Sequence, residues 1–134
     1  MSKSSPDVQS KILLTDEFAQ IQSKFRGAVT DSQLGVTFDP AHRPGVSNIV
    51  TILATCTDKN PEEVARLYAS KGHAQLKADT AEAVEALLQR PREEFKRLKA
   101  ATDYLEEIAK DGAVRAREIS EVTMALVRSQ IGLA

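Results

Sequence analysis

From Thr15 to the end of the chain, apolar residues recur at intervals of three and four with almost no interruption. That period is the signature of helices burying one stripe each, and alternation at period two, the mark of a half-buried strand, is scarce. The spacing therefore predicts an all-α chain. At 134 residues it has enough polypeptide for one core and too little for a nucleotide-binding sheet with an accessory domain. No long uncharged apolar run is present, so no membrane span is expected. A formal charge of −1 supplies no overall pull toward nucleic acid, and RNA contact would have to come from a local patch. With 4% aromatic residues and no Trp, base stacking is not expected to dominate such a contact.

The first helix is expected over 16–29, capped by Thr15 or Asp16, with Phe18, Ile21, Phe25 and Ala28 on one face. The connector "VTDSQLGVTFDPAHRPG" carries Gly35, Pro40, Pro44 and Gly45, and its "VTF" is a candidate for extended backbone. A second helix over 46–57 presents Val46, Ile49, Val50, Leu53 and Cys56 and should be well buried. "DKNPEEVARLY" holds the sharpest start signal: Asn60 as N-cap, Pro61 at the first helical position and Glu63 reaching back to the cap. That helix should end near Gly72. Between His73 and Lys99, Leu76, Val84, Leu87, Leu88, Phe95 and Leu98 keep phase through Pro91, which predicts one kinked helix or two in series. A short helix over 103–109 and a last one over 112–131, with Ala116, Ile119, Thr123, Val127 and Ile131 on one face, complete the expectation.

The lone Cys56 cannot form an internal disulfide and sits on an apolar stripe, where a small core residue is expected rather than a nucleophile. His42 and His73 are far apart, with no spacing suited to zinc. Arg43 falls in a turn and reads either as a structural residue or as a phosphate contact, and Gly45 as a backbone requirement at a helix start. Arg90, Arg92, Lys96, Arg97 and Lys99 cluster around Pro91, and Arg115, Arg117 and Arg128 lie on the last predicted helix. Two readings fit them: a phosphate-contacting face, or a solvated helix surface balanced by Glu93 and Glu94.

The opening "MSKSSPD" resembles the "KMSKS" signature of class I aminoacyl-tRNA synthetases without its leading lysine. "AVTDS", "PGVSN", the "GA..AR" helix and the closing "IGL" follow in the order seen in tryptophanyl-tRNA synthetases, and the likeness extends over essentially all of the chain. It is nearer to the bacterial and mitochondrial branch. The resemblance implies an enzyme that activates tryptophan with ATP, Mg²⁺ as the nucleotide's counter-ion, and then charges tRNA(Trp). Residues 1–14 would be the ATP loop and linker, and 15–134 an α-helical bundle that binds the anticodon. Lys3 would be the catalytic cation neutralising pyrophosphate, with Ser2 and Ser4 beside the phosphates. Among the basic residues, Arg92, Lys96, Arg97, Arg115 and Arg117 are the candidates for tRNA contact. The upstream "HIGH"-type motif and the tryptophan pocket do not occur in this sequence, so the chain is expected to be a C-terminal fragment, inactive alone and mostly monomeric, of a homodimeric enzyme. A mitochondrial matrix location is expected, with bacterial cytoplasm as the alternative. A stand-alone tRNA-binding module is the competing reading.

Overall fold

The computed structural model describes residues 6–133, and these are all helix, turn and irregular backbone with no strand. A short 3₁₀ turn, Val8–Ser10, precedes α1 (Phe18–Gly27), α2 (Pro44–Cys56), α3 (Pro61–Tyr68), α4 (His73–Ala100) and α5 (Thr102–Gln130). Ser2, Lys3 and Ser4 lie outside the described residues. The chain divides into two compact units, 1–93 and 94–134, the division falling within α4.

In the first unit α2 is the central element because apolar residues cover more than one of its faces. Val46, Ile49, Val50 and Leu53 join Val36, Val64 and Leu76 in one core cluster. Ile52 and Cys56 pack against a second cluster of Ile21, Phe25, Ala81 and Val84. Cys56 is half-buried, and loss of solvation pushes its thiol above the usual range. Pro44 opens α2 two residues earlier than the apolar spacing predicts, as suits a residue with no N–H to satisfy and a preset φ.

The α1 boundary also differs from expectation. Neither Thr15 nor Asp16 is the cap: Glu17 is, and its N–H donates to Gln20 Oε1 at 2.8 Å. Asp16 is occupied elsewhere, its carboxylate accepting from Lys24 and, at 2.8 Å, from the Leu13 N–H. α3 begins where its signal lies, with the Glu63 N–H donating to Asn60 Oδ1 at 3.3 Å, but it ends at Tyr68, short of Gly72. The expected extended "VTF" is irregular backbone, although its Val36 is a core residue.

α4 runs through Pro91 as one helix. The two C-terminal helices expected from the sequence are likewise one helix, α5, with Gly112 in its interior. α5 ends in a Schellman motif: Gly132 takes φ +73°, and the Leu133 N–H donates to the Arg128 carbonyl at 2.8 Å. No residue of α5 is buried.

Candidate nucleic-acid interface

The basic residues separate by what holds them. Arg92 is 3% exposed, and its guanidinium donates to the Asp16 carbonyl oxygen and to Glu85. With Lys24 on the Asp16 carboxylate, it ties the segment before α1 to α1 and α4. The expectation that Arg92 offers a phosphate contact is therefore corrected. A buried guanidinium whose donors face two protein acceptors would have to give up those bonds to reach an external anion.

The other candidates are on the surface. Arg97 forms a fork with Glu94, at 2.9 and 2.6 Å, and Lys96 is exposed on the same helical stretch. Arg115 donates to Asp111 at 2.5 Å, one turn back on α5. Arg117 is exposed, and its offset of two residues from Arg115 turns it to a different face of the helix. These residues share the second unit, but spacing splits them among faces. Exposed i,i+3 and i,i+4 ion pairs are weak, so a phosphate could compete for either arginine at small cost.

Arg43 is the most thoroughly held cation. It grips Asp31 in a bidentate pair, Nε to Oδ2 at 2.9 Å and Nη2 to Oδ1 at 2.7 Å. It also donates to Thr37 Oγ1 at 2.8 Å and to the carbonyls of Gln33 and Gly35. The Nε2 of His73 lies 3.1 Å from both Arg43 Nη2 and the Gly35 carbonyl, donating to the carbonyl in one tautomer and accepting from the arginine in the other. Of its two sequence readings the structural one describes Arg43, which closes the 31–37 loop. The Arg43 hydrogen bonds hold the Asp31 carboxyl down at about 2, against the opposing effect of desolvation.

The "PGVSN" stretch is built on the same turn. Asp39 accepts from the Ala41 and His42 N–H groups, and its own N–H donates to Ser47 Oγ at 2.9 Å. Gly45 is required for space: a Cβ there would stand 2.3 Å from the Val29 carbonyl oxygen. Asn48 faces a cavity of about 450 Å³ lined also by Asp7, Ser10, Lys11, Phe25 and Ile52. The segment that continues from the signature thus lies against α1 and α2. Asp7 starts its 3₁₀ turn by accepting from the Gln9 N–H at 2.8 Å.

Two cations that the sequence did not single out, Arg26 and Lys77, share another cavity, of about 400 Å³, with Gln22, Ala74, Ala78 and Ala81. Nothing in linear spacing pairs residues 51 positions apart. The only sequence signal was a basic residue closing α1, ordinary for a helix C-terminus.

Among the described residues the chain is all-helical, with the segment after the signature residues packed on α1 and α2. Residues 1–89 match the model of the class I tRNA synthetases of the W and Y type, and the chain belongs to that family. Within it, the chain is similar to tryptophan–tRNA ligase 1 of Streptomyces avermitilis, 42% identical over 99% of the chain and 40% of the relative. It is also similar to the tryptophan–tRNA ligase of Enterococcus faecalis, 36% identical over 99% of the chain and 39% of that protein. The structure of tryptophanyl-tRNA synthetase from Mycoplasma pneumoniae matches all of this chain with a TM-score of 0.60 at 28% identity, using 41% of its own length. The chain thus spans about 40% of the length of the curated relatives it matches. These relatives are bacterial, which gives the mitochondrial expectation no support.

Proposed function

We propose that this chain is the signature loop and helical C-terminal region of a bacterial, cytoplasmic tryptophan–tRNA ligase. In the whole enzyme ATP, tryptophan and tRNA(Trp) are the partners, and the protein works as a homodimer. The supporting observation is that the family match covers residues 1–89, which include the signature, α1 to α3 and part of α4. The donor set fits a polyphosphate: residues 2–5 offer the Lys3 ammonium and three hydroxyls with no carboxylate among them. In this reading Lys3 neutralises charge as pyrophosphate departs, an interaction worth more in the transition state than before it. Ser2 and Ser4 hold the same phosphates, and Mg²⁺ accompanies ATP as its counter-ion. Lys96, Arg97, Arg115 and Arg117 face tRNA in this reading. Arg92 supports the helices instead.

The test is tryptophan-dependent exchange between ATP and pyrophosphate. In an enzyme carrying this chain behind its catalytic domain, Lys3→Ala should lower exchange by about 10²–10³-fold, the usual loss for one preorganised charge donor. The 134-residue chain alone should show none, and it should elute as a monomer in dilute solution. An undiminished rate in the Lys3→Ala enzyme would refute the assignment.

A further inference from the structure

The cavity between α1 and α4 combines features that the signature loop does not use. Its floor is Ala74, Ala78 and Ala81, three methyl groups on one face of α4. Its polar lining residues are Gln22, Arg26 and Lys77, and none of its six lining residues is acidic. The Lys77 ammonium donates to the Ala28 carbonyl at 2.7 Å and to the Arg26 carbonyl at 3.3 Å, which fixes its charge at the mouth. Arg26 is exposed beside it. Two cations and an amide beside an apolar floor, in a cavity of about 400 Å³, suit an anion joined to an apolar plate.

We propose that this groove holds one nucleotide of an RNA strand, its phosphate on Arg26 and Lys77 and its nucleoside on the alanine floor. Resting on the tRNA-ligase reading, the proposal adds a contact in the first unit to the arginines of the second. A lone phosphate needs no floor. An acidic side chain would satisfy the cations but leave most of the volume empty.

Binding of the 134-residue chain to tRNA, measured by fluorescence anisotropy across a salt series, tests it. Lys77 is avoided because its ammonium caps α1. Arg26→Glu should weaken binding about tenfold at moderate salt and flatten the salt slope by about one ion. Ala78→Leu, on an exposed position, should weaken binding about threefold with the slope unchanged, because it fills the floor and removes no charge. Urea midpoints matching wild type would establish that both variants are folded. If wild type binds with a clear salt slope and Arg26→Glu binds identically, the groove proposal is overturned while the ligase reading stands. Wild type without salt-dependent binding would overturn the groove proposal together with the tRNA contacts proposed for Lys96, Arg97, Arg115 and Arg117, whereas the ligase assignment falls only by the exchange assay. An Arg26→Glu loss with no effect of Ala78→Leu would overturn the nucleoside part, leaving a bare phosphate contact.

Discussion

Asp31 and Arg43 show at residue scale how a buried cation organises a loop. The Asp31 carboxyl has a folded value of about 2 against an ordinary 3.8, so the folded state binds its proton less readily than the unfolded chain does. The stability this confers is present in full above pH 3.8 and disappears as pH falls toward 2. Urea midpoints should therefore decline through that window, and Asp31→Asn should decline less steeply there. Some slope will persist, because Asp39 is also lowered by its hydrogen bonds to His42. An identical slope in the variant would show that Asp31 is not coupled to folding. Gly45 supports a second prediction at this scale. Its Cβ would meet the backbone oxygen of Val29, not a movable side chain, so Gly45→Ala should cost about 1–3 kcal/mol in chemical denaturation. The glycine's role was legible in the sequence because a Pro-Gly pair at a helix start leaves few alternatives. The fate of Arg92 was not. Its burial depends on Asp16, 76 positions away, and on the geometry of Glu85, neither of which is visible in a basic cluster around a proline.

Helix ends carry the clearest contrast between local and distant signals. α3 began at its predicted cap because Asn60 and Pro61 act on backbone groups within one turn, Asn60 accepting from the Glu63 N–H. Of the two readings at Pro91 the single helix is the one observed, and the division expected just before Gly112 did not occur, since breaker residues alter a local preference of about 1–3 kcal/mol and flanking helix formers can outweigh it. Asp58 is the one described non-glycine residue with positive φ, +53°, and it occupies the Schellman position after α2, where the Lys59 N–H donates to the Ala54 carbonyl at 3.0 Å. Asp58→Gly should raise stability by about 0.5–1 kcal/mol by removing the strained Cβ, measured as a higher urea midpoint with an unchanged m-value. A lower midpoint would mean that the backbone freedom gained by the unfolded chain outweighs the strain. α5 is the opposite case. It was legible as helix, but of its predicted stripe Ile119 and Ile131 are each more than 60% exposed and Val127 is 40% exposed, so periodicity foretold a stripe without foretelling burial.

Across the whole chain, both core clusters and the half-buried residues packed on them come from positions 12–88. The first unit therefore contains the hydrophobic groups that oppose its conformational entropy, whereas α5 adds 29 helical residues and no buried one. In proteins most helical stability comes from packing an amphipathic face, and α5 buries no such face. The consequence is measurable in a chain ending at Ala101. Tyr68 reports on the first unit: its hydroxyl donates to Asp79 at 2.6 Å, and burial, aided by that bond, pushes the phenol up to about 12. Tyr104, the other tyrosine, leaves with the deletion. Urea unfolding followed by tyrosine fluorescence should give an unfolding free energy in water within about 0.5 kcal/mol of that of the 134-residue chain, the size expected of changes away from buried groups. In the longer chain, α5 amides should exchange with solvent orders of magnitude faster than those of α2, since protection follows burial and local contact density. A truncated chain that unfolds at clearly lower urea, or α5 amides as protected as those of α2, would mean that the first unit's stability is not self-contained.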